Sequence, residues 1–373
     1  MAPARAAHVT GTEARTLARE LAARLGHGGG LGFLYVHESL AGEVQTLVDD
    51  LRQGTGVKHW VGSVAAAVLS AGREVYDEPS VAALVLPFKE ADYRLIPTLT
   101  RPEDIGTFRA GVDEWRTDRG GRTAIVHGDW RNARIPELVA NLPTELDGGF
   151  LAGGLSSGEA SPLQIVDAPV EGGLSGVLLA DSVGVQIGRT QGCMPAGPAH
   201  EITAGERNLI TELDDRPALE VLLADLGAES VRDLARLSGG VFVAFPITGS
   251  DTGDYLVRNL LGVDPDQGVI AIGSTVHIGQ QLFFARRDRE SATADLRQML
   301  GSLRARAGDR IAGGLYFSCM GRGRNQFGDD NAEMRLIAEA IGEVPIAGFY
   351  CNGEIAHDRL YGYTGVLALF PGD

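Results

Sequence analysis

Apolar residues along the chain switch between a four-residue and a two-residue spacing, and the switches outline the elements. Leu17, Leu21 and Leu25 predict a helix that Thr12 can cap and Gly26 ends. The first ten residues carry no such pattern and read as disordered, and His27-Gly-Gly-Gly30 reads as a joint. From there one order, strand, helix, strand, closing apolar strand, is expected three times. The first run is Leu31 to His37, Glu43 to Leu51, a strand reaching Trp60-Val-Gly62, and Val81 to Phe88. The second is Thr123 to His127, Pro136 to Leu142, Leu151 to Glu159, and Leu174 to Ala180. The third is Gly314 to Cys319, Ala332 to Ile341, Ile346 to Glu354, and Tyr363 to Phe370.

The second and third runs share a phrase, Leu151-Ala-Gly-Gly-Leu-Ser-Ser-Gly-Glu159 and Ile346-Ala-Gly-Phe-Tyr-Cys-Asn-Gly-Glu354. The first keeps only Val61-Gly62 and continues Ala65-Ala-Ala67-Val68, so its role reads as structural. An internal repeat of whole supersecondary units implies that the copies meet at a shared face, where function is sought. The same alignment sets His37, His127 and Cys319 at equivalent strand ends.

Between the second and third runs the chain predicts a strand over Val183 to Thr190, a hairpin over Ile202 to Leu213, and a helix that Asp215 caps with Pro217 early in it. Val231 to Leu237 reads as a helix and Ser238-Gly-Gly240 as a domain boundary. Beyond it lie strands at Val241 to Pro246, Val269 to Gly273 and Gln281 to Ala285, then a helix over Ala292 to Ala307. The expected fold is α/β: two domains of mixed β-sheets flanked by helices. The division is an N-terminal extension with one helix over 1–29, one domain over 30–237 and a second over 238–373.

At 373 residues the chain has ample apolar content for two cores. A net charge of −16 argues against a nucleic-acid groove or an anionic membrane surface, which need a positive field. Small molecules and proteins remain as partners. Cys193, Cys319 and Cys351 are too few and too widely spaced for a disulfide framework or a CxxC zinc site, which points to the cytoplasm. There is no signal-peptide pattern and no run of about 18 apolar residues.

Five stretches, taken in order, resemble the FIST family, named for F-box and intracellular signal transduction proteins. They are Gln191-Gly-Cys193, Leu213-Asp-Asp-Arg-Pro-Ala-Leu-Glu220, Arg258-Asn-Leu-Leu-Gly262, Ser318-Cys-Met-Gly-Arg-Gly323 and Gly348-Phe-Tyr-Cys-Asn-Gly-Glu-Ile355. The resemblance runs from about residue 30 to 371. It implies an N-terminal and a C-terminal FIST domain and a cytoplasmic sensor of small ligands such as amino acids, some bacterial members being haem proteins that sense nitric oxide. No F-box, kinase or cyclase has a counterpart here, so the signal would pass to a separate signalling protein.

Ser318-Cys-Met-Gly-Arg-Gly-Arg324 joins a strand to a helix, and Gly323 with Arg322 and Arg324 outlines an anion pocket. The alternative is that an arginine pairs with an acid of the chain and the glycines only make the turn. Glu159 and Glu354 each follow a glycine at a strand end and serve either a ligand ammonium or the turn itself; Glu354 lies beside Cys351 and Asn352. Cys319, ahead of an arginine-bearing loop and a helix, is expected to have a lowered thiol pKa, although most cysteines are inert buried residues. None of the eight histidines has metal-ligand spacing; His37, His127 and His200 are the candidate haem ligands. The leading function is a sensor holding a metabolite or haem near Cys319, Arg322 and Glu354. The alternatives are an enzyme with Cys319 as nucleophile, Arg322 holding a substrate carboxylate and His127 or Glu354 as base, and a plain scaffold.

Overall fold

Strands that read as continuous apolar runs, Leu31–His37 and Ser80–Leu86 among them, are buried along nearly their whole length, as expected where both faces of a sheet are covered. The computed structural model describes residues 3–159, 161–234, 240–247, 255–308 and 310–372. They belong to two compact units, residues 1–190 with 296–373 and residues 191–295.

The larger unit holds three segments of one design. The first is β1 (Arg5–Thr10), α1 (Ala14–Leu25), β2 (Leu31–His37), α2 (Val44–Thr55), β3 (His59–Ala65), a hairpin of β4 (Val68–Ser70) and β5 (Arg73–Val75), and β6 (Ser80–Leu86). The second is β7 (Tyr93–Leu99), α3 (Pro102–Arg119), β8 (Thr123–Gly128), α4 (Ile135–Glu145), β9 (Phe150–Leu155), a hairpin of β10 (Gln164–Val166) and β11 (Pro169–Val170), and β12 (Leu174–Leu179). The third opens with β13 (Gln186–Gln191), after which the chain leaves for the smaller unit.

That unit contains β14 (Met194–Pro195), β15 (His200–Glu206), β16 (Leu209–Leu213), β17 (Arg216–Pro217), α5 (Ala218–Leu226), α6 (Val231–Leu234), β18 (Val241–Pro246), β19 (Tyr255–Asp264), β20 (Val269–Ile272) and β21 (Gln281–Arg286). Its strands run β21-β15-β16-β20-β19-β18, and β18 pairs back to β21, which closes a barrel. Ile210, Leu213, Val243, Ile270 and Phe284 fill the core with Leu219 and Leu222 of α5. The third segment resumes with α7 (Arg289–Ala307), β22 (Ile311–Cys319), α8 (Arg324–Phe327), α9 (Ala332–Ile341), β23 (Ile346–Cys351), a hairpin of β24 (Glu354–His357) and β25 (Arg359–Tyr361), and β26 (Thr364–Pro371).

The three sheets of the larger unit have one strand order: β1-β6-β2-β3-β10-β11, β7-β12-β8-β9-β24-β25 and β13-β26-β22-β23-β4-β5. In each, the two central strands are parallel and the closing strand is antiparallel. The terminal hairpin always comes from another segment: β10 adds to β3, β24 to β9 and β4 to β23. The exchange is cyclic, so every sheet is finished by a neighbour.

The shared glycine of the phrase has one physical cause in all three places. Gly62, Gly153 and Gly348 lie opposite Leu34, Val126 and Tyr316 in the parallel pairs. A Cβ on any of them would come 1.8 Å from that partner's carbonyl oxygen, a distance no side chain tolerates. These glycines fix the register, and they correct the alignment of strand ends. His127 is level with Tyr35 and Phe317, whereas His37 is level with Asp129 and Cys319.

Other expectations change as well. Residues 5–10 of the stretch expected to be disordered form β1, which pairs with β6 along its whole length. Leu17, Leu21 and Leu25 of α1 are at most 2% exposed, each contributing roughly 1.5–3 kcal/mol by burial, so residues 5–25 are part of the first segment and not an appendage. Glu13, not Thr12, caps α1, accepting from the amides of Arg15 and Thr16. Asp215 does not cap α5, which begins after Pro217; Asp214 and Asp215 instead turn the chain at φ 51° and 59°. Ser238 and Gly239 of the expected boundary, and residues 235–237 of the expected helix, lie outside the described residues.

Candidate ligand site at the end of the third segment

The face where the three segments meet is solid. Tyr35, His127 and Phe317, the three equivalent residues of the first central strands, touch with ring centroids 5.6, 6.0 and 6.3 Å apart, and Phe349 stacks on Tyr35 at 5.1 Å. All four are fully buried. Tyr35 Oη lies 3.3 Å from His127 Nε2, and burial depresses the imidazole to about 3. Enclosed among these rings, His127 presents no exposed surface to a haem or a substrate.

The polar groups gather at the strand ends of the third segment instead. Cys319 and Cys351 are register partners at the ends of β22 and β23. Glu354, fully buried, accepts from the Thr364 amide at 3.0 Å, from Thr364 Oγ1 at 2.8 Å and from Cys351 Sγ at 3.4 Å. None of these partners carries a charge. Burial raises the Glu354 carboxyl to about 7, against the hydrogen bonds and the nearby Arg322 charge, which act the other way. Burial, then the Glu354 charge, push the Cys319 thiol up to about 12 despite the amides of Gly321 and Tyr363 and the Arg322 charge. Cys351 is raised as well, first by burial. The expected low thiol pKa is therefore reversed, because desolvation outweighs the loop's donors.

Arg322 is fully buried and committed to Glu333, with Nε and Nη2 at 2.8 and 2.7 Å from Oε1, its guanidinium over the Phe327 ring at 5.3 Å. Glu333 also accepts from Tyr316 Oη at 2.6 Å, Ser318 Oγ at 3.0 Å and the Gly323 amide at 3.1 Å. Beside it Glu74, delivered by the exchanged hairpin of the first segment, takes the amides of Glu333 and Met334 at the start of α9 and the hydroxyls of Tyr76 and Tyr350. Burial, then Glu333, raise the Glu74 carboxyl. Sequence reading missed Glu74 and Glu333, though an acid on the first turn of the helix after an arginine loop was the available signal for the latter. Gly323 holds a positive φ of 53°, and a Cβ there would strike the hydroxyls of Tyr76 and Tyr350.

Arg324 is different. It is exposed, pairs with the exposed Asp77 at 2.7 Å and lies over the Tyr76 ring at 4.4 Å. Asn352 is exposed and Cys319 half-buried. The structure thus brings Cys319, Cys351, Asn352, Glu354, Arg322, Gly323 and Arg324 to the strand ends of the third segment, where β24 crosses to the second sheet, with Arg322 as internal framework and Arg324, Asn352 and Cys319 on the outer side. His37 and His200 are elsewhere. His37 accepts from the Ser39 amide at its own strand end. His200, in the smaller unit, is clasped at both ring nitrogens, by Asp214 at 2.6 Å and Asp225 at 2.9 Å, which leaves no nitrogen for iron. Among the described residues no cluster of three or more His, Cys, Asp or Glu is arranged to hold a metal ion, and no helix is long and apolar enough to cross a membrane.

Three sheets of common order, an inserted barrel and a buried polar centre at the strand ends describe a mixed α/β protein. The FIST N domain matches residues 30–216 and the FIST C domain residues 218–357; the chain belongs to the FIST family, whose domains are sensory modules of signal transduction that bind small ligands. Its similarity to the uncharacterized protein Mb0898c of Mycobacterium bovis is 32% identity over 329 residues, 84% of this chain and 83% of the relative. To the uncharacterized protein Rv0628c of Mycobacterium tuberculosis it is 31% over 326 residues, 83% of each chain.

Proposed function

We propose that this chain is a cytoplasmic sensor that binds a small amino-acid-like metabolite at the end of the third segment and passes the signal to a separate protein. One observation carries the reading: a fully buried carboxyl, Glu354, raised to about 7 and bonded only to uncharged donors, sits among residues whose outer members are a half-buried thiol and an exposed arginine. Retaining such a group costs stability, which favours a binding role at these strand ends; a ligand ammonium or other donor reaches the carboxyl once Thr364 gives way. The ligand carboxylate falls to Arg324, because its partner Asp77 is exposed and a surface pair of this kind is worth only about 0–1 kcal/mol. The buried pair with Glu333 speaks against Arg322 as that anchor. The high thiol pKa speaks against Cys319 as a nucleophile, and the placement of His127 and His200 speaks against haem ligation by either.

A thermal-shift panel of amino acids, amines and dicarboxylates tests this, with the absorption spectrum of the concentrated protein recorded alongside. Amino acids should raise Tm, and Arg324→Ala and Asn352→Ala should abolish the rise while leaving the unliganded Tm nearly unchanged. A Soret band, or a ligand shift untouched by both substitutions, would overturn the assignment.

A further inference from the structure

A trough of about 560 Å³ lies between α1 and α2, far from the groups discussed so far in sequence and built largely from residues that precede the family match at residue 30. Its α1 side carries Arg15 and Arg19, one helical turn apart, and its α2 side carries Asp50 and Gln53, with His27 completing the rim. The floor is open because the helices meet through small residues: a Cβ on Gly54 would lie 2.7 Å from that of Ala22. Ala23 lines the trough without filling it.

The charges are distinctive. Other arginines nearby are engaged: Arg24 with Glu20 and the His8 carbonyl, Arg52 with Asp49 and Asp167, and Arg5 with the carbonyls of Leu25, Gly26 and Gly28. Arg15 and Arg19 form no ion pair with any described residue, in a chain with 49 acidic and 33 basic side chains. Two arginines outside any ion pair and lining one concavity, Arg19 with only a through-space effect on Glu13, suit the several oxygens of a phosphoryl group, which accept paired N–H donors. Asp50 on the opposite side would repel a bare anion, so the occupant must also present a donor to it. The volume lies within the range of small-molecule sites.

We propose that this trough is a second binding site, separate from the one at Cys319, for a small organic phosphate that also bears a hydroxyl or amino group. Calorimetric titration of the full chain with glycerol 3-phosphate and phosphoethanolamine, alongside inorganic phosphate and glycerol, tests it. The organic phosphates should bind, inorganic phosphate more weakly and glycerol not at all. Arg15→Gln with Arg19→Gln should weaken binding by about tenfold or more, Asp50→Asn should remove the advantage over inorganic phosphate, and Ala23→Trp should block the trough with little change in Tm. Arg24→Gln, and the Arg324→Ala variant, should bind as the parent does, which keeps the two sites experimentally distinct. No heat with either organic phosphate up to about 10 mM, or titrations unchanged by the double arginine substitution, would remove the site; equal binding of inorganic phosphate would refute the ligand class.

Discussion

The second and third segments end in the same phrase and make different things of it. Both first strands turn identically afterwards, the Asn132 amide donating to the Asp129 carbonyl at 3.1 Å and the Arg322 amide to the Cys319 carbonyl at 2.8 Å. In the second, Asp129 is answered at once by Arg131, at 2.9 Å, which reaches on to exposed Glu171. In the third, the arginine points inward and is met by Glu333 in the core. The closing glutamates diverge too: Glu159 is exposed and contributes its amide to Glu38, whereas Glu354 is sealed under β26 by Thr364. The second end matches its buried Asp129 with an arginine that reaches out to solvent. The third keeps its charges in low dielectric, where each must be matched or left titratable.

The comparison can be broken most severely by separating the segments. Residues 30–216, the span of the FIST N match, lack the β24–β25 hairpin that completes the second sheet, as well as β1; expressed alone they should show no cooperative melt by circular dichroism. Next in size are the glycines, which both copies need equally. Gly153→Ala and Gly348→Ala should each cost more than about 4 kcal/mol in denaturant titrations, because the added carbon overlaps a strand carbonyl in both. A mild effect in one copy alone would show that the registers are not equivalent.

Arginine substitution should then separate the two ends. Arg322→Met strands Glu333 in the core and should cost about 3–5 kcal/mol. Arg131→Met leaves the buried Asp129 with the amides of Arg131 and Gly172 as remaining donors and should cost less, about 1–3 kcal/mol.

The last comparison is a pH slope. Glu354 binds its proton more tightly folded than unfolded, so its contribution is fully present below pH 4.5 and is lost as pH rises to about 7, on the order of 3 kcal/mol in all. His200 has the same sign: burial works to lower its pKa, but Asp214 and Asp225 prevail and raise it, so its contribution also fades with rising pH. The difference between parent and Glu354→Gln across pH 5–8 therefore isolates Glu354, and Glu159→Gln should leave the slope unchanged. Equal slopes for the parent and both variants would mean Glu354 is ionised throughout.

Much of this was legible from the chain. The phrase located the shared glycines, since a backbone contact demands the same residue wherever it recurs, and apolar runs located the nine central and closing strands. What escaped was what depends on distant chain. The hairpins of two to four residues per strand have too little pattern to register, and Arg5–Thr10 becomes a strand only because β6 offers an edge. The strand-end alignment failed at His127 by two positions because the loop lengths between strand and phrase differ, and only the pairing with Gly154 fixes it. The direction of the Cys319 shift escaped for a similar reason. A loop with arginine and glycine looks electropositive in one dimension, while burial against Glu354 is a property of the packed sheet.

The barrel of residues 191–295 enters where the first two segments make do with a short link, residues 11–13 between β1 and α1 and residues 100–101 between β7 and α3. Its entry and exit are stapled at one point, the Gln191 amide donating to Asp295 at 2.7 Å. Both covalent leads of the insertion therefore run to β13 and α7, in the segment that carries Cys319 and Glu354. Whatever the barrel does therefore reaches the rest of the chain covalently through those two leads alone.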